Sequence, residues 1–370
     1  MTSQDDWPGL AEGITSRLIP VRDLNMHILE AGDPTAPLLL LLHGFPELAY
    51  SWRAVLAPLA RLGYHVVAPD QRGYGRTLPR ALQDPAAPVL VQYDDDLTPY
   101  RLLNLAHDAI ALAYALGHTA AAGVVGHDFG SVVAGVVALA RPDLVRTAVF
   151  MSAPFPGAPA LPLASAAPSP SPAAALVAAL ARIDREHYTH YFASPRANAD
   201  MHGTADHAGD DPRPLPLTLE AAAALPPYYV MPRGVGMPAV VAPATAGEVA
   251  SARWLDEAAL GVYVREFGRT GFQGGLNWYR TMGAEVGGED WGLRMFGGTR
   301  VEMPAMFVAG RRDWGTYQSP GALERMRREV CARMEEDDVV LVDGAGHWVQ
   351  QERPEEVVGQ IERFLKKYEQ

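Results

Sequence analysis

The stretch that most restricts the fold is Val124-Val125-Gly126-His127-Asp128-Phe129-Gly130-Ser131. An apolar, strand-like run enters Gly-x-Asp-x-Gly and passes without a linker into the small-residue apolar segment Ser131–Ala140, which reads as a helix. Small residues two before and two after Asp128 let the backbone turn sharply from strand to helix, and such a turn presents one side chain at the carboxyl edge of a sheet. The helix N-terminus behind that side chain favours negative charge. An Asp that only caps a helix would look the same in isolation, so other parts of the chain have to decide between the two readings.

Those other parts alternate. Pro37–Leu42 is a short apolar run that reads as a strand buried on both faces, and His65-Val66-Val67-Ala68 reads as another. Residues 101–116 carry apolar positions at helical spacing and stop at Gly117. Ala122–Val125, Val145–Met151, Ala305–Val308 and Val339–Val342 are further strands, and residues 354–367 form a closing amphipathic helix with Pro354 in its first turn. Strands alternating with helices predict an α/β fold, a mostly parallel central sheet flanked by helices. The pattern breaks in the middle of the chain. Residues 155–175 are rich in Pro, Ala and Ser and read as a hinge or tether, and 196–250 is loop-like. Helical pieces at about 173–192 and 254–268, with no strand-length run between them, predict an inserted helical cap. The expected division is a core in two parts, 1–154 and 296–370, with the cap at 155–295.

Composition removes several classes of function. The 370 residues carry 31 basic and 43 acidic side chains, 31 − 43 = −12, so neither nucleic acid nor an anionic membrane surface is an expected partner. The single cysteine, Cys331, excludes an intramolecular disulfide framework and a multi-cysteine metal site. The start, MTSQDDWPGL, is acidic where a signal peptide would be basic, so the expected location is the cytoplasm. Oligomeric state is not legible.

Two more strand ends complete the Asp128 pattern. Pro304–Val308 continues through Ala309-Gly310-Arg311-Arg312 to Asp313, a strand ending in a loop with a carboxylate. Val342-Asp343-Gly344-Ala345-Gly346-His347 is a strand ending in a Gly-rich loop with a histidine. The chain order is then nucleophile, acid, base, as the α/β-hydrolase fold requires. His43-Gly44-Phe45-Pro46 follows the first buried strand, where this fold draws one oxyanion-hole amide. The amides assigned to that hole are those of Phe45 and Phe129.

Taken together, HGFPELAYSWR (43–53), PDQRGYGRT (69–77), GHDFGS (126–131), GFQGGLNWYR (271–280) and GHWVQQERPEEV (346–357) resemble the α/β-hydrolase-fold epoxide hydrolases over nearly the whole chain. The resemblance implies a catalytic triad of Asp128, Asp313 and His347 and two phenols from the cap. Tyr279, in Asn277-Trp278-Tyr279-Arg280, matches one phenol; the other is Tyr188, with Tyr191 three residues on as the alternative. Phe129 departs from the family's commonest pattern, which has tryptophan after the nucleophile. The chemistry suits a carboxylate: serine attacking an sp³ carbon would leave an ether, whereas Asp leaves an ester that water can remove. The expected reaction is hydrolysis of an epoxide to a vicinal diol, with a small apolar epoxide and water as the only partners and no cofactor or metal. Trp52, Trp278 and Phe272, with Tyr228 and Tyr229, are candidates for an apolar substrate pocket or equally for packing between cap and core. The nearest rival is a haloalkane dehalogenase or another Asp-nucleophile hydrolase, which needs N–H donors for the halide where this chain has Phe129 and Phe45. A non-catalytic hydrolase-fold binding protein should have lost a member of the triad.

Overall fold

Five consecutive leucines form the strand at the middle of the sheet. In chain order the core begins with β1 (Thr15–Val21), β2 (Leu24–Ala31), β3 (Leu38–Leu42), β4 (His65–Pro69), β5 (Leu78–Pro79), β6 (Ala121–His127) and β7 (Ala148–Met151). Every residue of β3 and β4 is buried, as a strand covered by helices on both faces demands. The computed structural model describes residues 7–82, 91–161, 172–206, 229–241, 247, 252–282, 291–319 and 321–368. The ten-stranded sheet runs β1-β2-β4-β3-β6-β7 and continues into β10 (Val301–Gly310). β10 is long enough to pair with β11 (Cys331–Arg333) near its start and with β12 (Val339–Val342) near its end. From β4 to β12 the pairing is parallel, while β1 and β2 are antiparallel to their neighbours. Helices α1 (Arg53–Arg61), α2 (Leu102–Ala115), α3 (Phe129–Ala140) and the closing helix (Pro354–Tyr368) cover it.

The expected strands and helices of the core are present. β1 and β2 are not legible, because polar residues interrupt both; His27 of β2 is buried with both ring nitrogens bonded, Nδ1 to Asp70 at 2.7 Å and Nε2 to the Ser16 hydroxyl at 2.9 Å. The middle of the chain is less purely helical than expected. The helix read over 173–192 is broken: α4 (Pro172–Ala181) ends, Asp184 takes a positive φ of 56°, and Arg185–His187 forms β8 before α5 (Tyr188–Phe192) begins. β8 pairs antiparallel with β9 (Val230–Pro232), a main-chain ladder with no apolar run to announce it. The loop-like region also holds α6 (Ala197–Asp206). Part of the tether (162–171) and Tyr228 lie outside the described residues.

The cap helices α7 (Glu257–Thr270) and α8 (Gln273–Met282) are tied to the core by specific contacts. Glu266 is nearly fully buried between Arg76 of the core, at 3.0 Å, and Arg269 of its own helix, also at 3.0 Å. The Trp278 indole donates to the Arg72 carbonyl at 3.1 Å. Next to it, backbone meets backbone: a Cβ on Gly274 would lie 2.1 Å from the Gly73 carbonyl oxygen, and Gly73 itself has a φ of 90°. Gly274→Ala should therefore force α8 off the core and lower stability by about 1–3 kcal/mol, the usual cost of overpacking. Thermal melts check this, and an alanine variant melting with the wild type would show that the cap yields there at no cost.

Candidate active site

β6 delivers His127 and then Asp128, which has φ 53° and ψ −121° and serves as the N-cap of α3. A non-glycine residue with positive φ is costly and persists only where its surroundings over-determine it. Here they do: the Asp128 amide donates to the Met151 carbonyl at 3.0 Å, and the Phe45 amide donates to Asp128 Oδ1 at 2.9 Å. The Phe129 amide also bonds this carboxylate. Burial pushes the Asp128 carboxyl above its ordinary range, and His347 with the two amides pulls it back.

Beyond the end of β10 stands Asp313, fully buried, which caps the next turn by accepting from Gly315 N at 2.8 Å. The same Oδ1 meets His347 Nδ1 at 2.9 Å. His347 follows β12 and directs Nε2 toward Asp128 Oδ2, 3.7 Å away. Burial alone would lower the imidazole pKa; Asp313 first, then Asp128 and Glu352, overcome this and push it up to about 9. Three strand ends thus bring together the Asp128, Asp313 and His347 that the motifs singled out.

Above them lies a cavity whose polar end is Asp128, His347, Tyr188, Tyr279 and Gln318. Its apolar wall includes Phe45, Phe192, Met201, Tyr229, Met237 and Val241. Tyr279 is held by three phenylalanine rings: Phe45, Phe129 and Phe192 lie 5.3, 5.4 and 5.1 Å from its centroid. The Phe129 side chain, unusual for the resemblance, therefore shapes the seat of this phenol. Tyr188 is 6.1 Å from Tyr279, ring to ring. Tyr191 is turned away; its hydroxyl donates to Asp200 at 2.7 Å and accepts from Met237 N at 3.1 Å, pinning α6 and the Met237 segment.

Trp52, Trp278 and Phe272, considered as pocket residues, do not line the cavity. Trp52 is fully buried with its ring edge-on to His127, 6.5 Å away. Trp278 packs on Phe129, and Phe272 is stacked on Phe267 at 4.6 Å. Trp278 and Phe272 fill the seam between cap and core, while Trp52 packs within the core. Tyr229, considered with them, does line the cavity, and the residues that sequence reasoning missed are Phe192, Met201, Met237 and Val241 of the wall, Gln318, Ser152 and Glu352. Glu352 accepts from the amides on both sides of His347, Gly346 at 2.6 Å and Trp348 at 3.0 Å. Its signal was in plain view in GHWVQQE, five residues after the histidine. Among the described residues, no group of three or more His, Cys, Asp or Glu could hold a metal ion, and no helix is long and apolar enough to cross a membrane.

Comparison with known proteins agrees with this geometry. The family model described as alpha/beta hydrolase fold matches residues 37–354. Epoxide hydrolase A of Mycobacterium tuberculosis is 32 % identical over 364 residues, covering 95 % of this chain and 97 % of that protein. An epoxide hydrolase from an endophytic Streptomyces superposes with a TM-score of 0.74 at 31 % identity over 96 % of each chain. Potato epoxide hydrolase I gives a TM-score of 0.70 at 30 % identity, covering 96 % of this chain and all of that one. The fold is that of the α/β hydrolases. Within them, the chain belongs to the epoxide hydrolase family.

The electrostatics predict a pH signature. An imidazole at about 9 in the folded state and near 6.5 unfolded stabilises the fold fully below pH 6.5, and that contribution is lost as pH rises through about 9. The stability advantage of wild type over His347→Gln should shrink by on the order of 2–3 kcal/mol between pH 6 and 10. Denaturant titrations at a series of pH values check it; a constant difference would place the imidazole pKa near its ordinary value.

Proposed function

We propose that this chain hydrolyses a small apolar epoxide to a vicinal diol through an alkyl ester on Asp128. The observation that carries the reading is a carboxylate at a strained elbow, held by the Phe45 and Phe129 amides, with an imidazole behind it and two phenols facing it across a largely apolar cavity. In the first half-reaction an Asp128 oxygen bonds the epoxide carbon as that carbon's bond to the ring oxygen breaks. Tyr188 and Tyr279 donate to the ring oxygen, and one phenol passes it the proton that makes the hydroxyl. That phenol is reprotonated by the proton His347 gives up as the ester forms. In the second, His347 Nε2 removes a proton from water, and the water oxygen attacks the ester carbonyl of Asp128. Asp313 keeps the imidazole in the tautomer with hydrogen on Nδ1 and supports the cation. The oxyanion then accepts from the two amides that held the carboxylate, an arrangement worth about 3 kcal/mol per donor. Its collapse breaks the bond from the Asp128 carbonyl carbon to the alkyl oxygen, which leaves as the diol with the proton from His347. The acid proton of the re-formed Asp128 carboxyl returns to the imidazole.

The charges support this order of events. Asp128 is one of the groups that keep His347 protonated. Ester formation removes that negative charge, so the imidazole pKa falls when a base is required. At 3.7 Å, Nε2 is beyond hydrogen-bond distance from the carboxylate, and water is the natural partner once the ester has formed. The same reading has core segments 1–154 and 296–370 supplying the triad and the oxyanion amides and cap 155–295 supplying both phenols. It also has the enzyme working in the cytoplasm, on chain groups and water alone.

His347→Gln should be alkylated by styrene oxide and then stall, gaining one substrate mass on the Asp128 peptide in intact-mass and peptide spectra. Halide release from a 1-haloalkane without diol formation from the epoxide would overturn the reading. Tyr188→Phe and Tyr279→Phe should each slow alkylation about 10- to 1000-fold, since a phenol helps most as charge grows on the ring oxygen. Tyr191→Phe should leave the alkylation step within about threefold of wild type, because the hydroxyl it loses is committed to Asp200 and Met237. Rapid-quench measurement of ester formation separates these outcomes.

A further inference from the structure

Ser152 immediately follows β7, whose carboxyl end lies between those of β6 and β10, the strands that carry Asp128 and Asp313. It is fully buried and takes a φ of 69°, a conformation that serine adopts rarely. Its main chain is fixed on both sides: the amide donates to the Val308 carbonyl at 3.0 Å, and the carbonyl accepts from the Thr316 hydroxyl at 3.0 Å. This aims Oγ at His347 Nδ1, 2.9 Å away, the same distance as Asp313 Oδ1 from that nitrogen. Glycine at 315 leaves room for the group, since a Cβ there would stand 2.8 Å from Ser152 Oγ and 3.1 Å from Asp313 Oδ1.

The direction of each hydrogen bond follows from chemistry. Asp313 as a carboxylate can only accept, so Nδ1 carries the hydrogen. The serine oxygen is then a second acceptor for that N–H, and its own O–H donates to the Asp313 carboxylate, against which it lies. Among the described residues the other Asp313 oxygen, Oδ2, is buried without a hydrogen-bond partner. A strained backbone at a functional site is a reason to ask what the strain secures.

We propose that Ser152 is a positioning residue for the hydrolytic half-reaction, its hydroxyl completing a two-acceptor cradle around His347 Nδ1–H that keeps Nε2 aimed at the ester. The proposal rests on the function proposed above. The hydroxyl touches neither substrate nor nucleophile and acts through His347 and Asp313. The charged and titratable groups facing the imidazole are Asp313, Asp128, His127, Glu352 and Glu47. Of these, Asp128 is neutralised when the ester forms, so comparison at the ester stage isolates the contribution of the serine.

Single-turnover kinetics with styrene oxide, resolved into ester formation and ester hydrolysis from pH 5 to 10, test this on wild type, Ser152→Ala and Ser152→Gly. Both variants should form the ester within about twofold of the wild-type rate and hydrolyse it about 10-fold more slowly, the loss expected for a hydrogen bond to a charged group. The pH midpoint of hydrolysis should move down in both, because the imidazolium has lost an acceptor; a purely structural change would lower the rate without moving the midpoint. Glycine relieves the positive φ, so a defect in Ser152→Ala that is absent from Ser152→Gly would trace to strain and overturn the proposal. Equal slowing of both half-reactions, or an unchanged midpoint, would overturn it as well. Absence of any ester in wild type and His347→Gln alike would instead sink the underlying reading, and the inference with it.

Discussion

Asp128 keeps a φ of 53° because three glycines let main chain approach where any side chain would collide. A Cβ on Gly126 would lie 2.1 Å from the Gly130 carbonyl oxygen, and one on Gly130 would lie 2.2 Å from the Leu42 carbonyl oxygen. A Cβ on Gly44 would sit 2.3 Å from the Asp128 carboxylate itself. These contacts bind β3, β6 and the start of α3 into one rigid turn. The position of the carboxylate, the direction of the two amides that meet it and the reach of His347 all follow from that turn. Preorganisation of this kind is effective because donors already in place need no reorganisation when charge moves.

The charge pattern is equally economical in its parts. A buried carboxylate, Asp313, and a half-buried one, Asp128, flank one imidazole, and a third, Glu352, clamps the main chain on either side of it. Burial pushes Glu352 up to about 7 despite the two amides it accepts from. His127, next to His347 with ring centroids 4.9 Å apart, is driven down to about 3 by burial and by the neighbouring imidazole. Its Nε2 meets the His347 carbonyl at 2.7 Å, so a neutral ring braces the main chain of a charged one. Of these two imidazoles, only His347 carries positive charge beside Asp128.

What could be read from the sequence was whatever leaves a local signature. The elbow shows in the spacing of Gly126 and Gly130, and Asp313 and His347 show because each closes an apolar strand in a small-residue turn. Tyr279 stands in a recognisable run, whereas Tyr188 and Tyr191 differ by one helical turn and only the partners of Tyr191 separate them. Tyr229 apart, the apolar wall of the cavity could not be read. Met201, Met237 and Val241 are single apolar residues in segments without periodicity, and they meet only through tertiary contacts. Trp52, Trp278 and Phe272 misled in the opposite sense, since an aromatic that packs away from a cavity and one that lines it look identical along the chain. Ser152 is polar, short and silent until three strand ends are seen side by side.

The contrast between elbow and wall has a consequence for how such a chain can change. At positions 44, 126 and 130 no side chain fits, so those sites admit almost no substitution while the chemistry is retained. Met201, Met237 and Val241 touch no catalytic hydrogen bond, and exchanges among hydrophobic residues of similar volume usually cost less than about 1.5 kcal/mol. Variation is therefore channelled. The wall can drift and reshape what the cavity admits, while the machinery beneath it stays brittle and unchanged, so new substrate ranges are accessible to this fold one cap residue at a time.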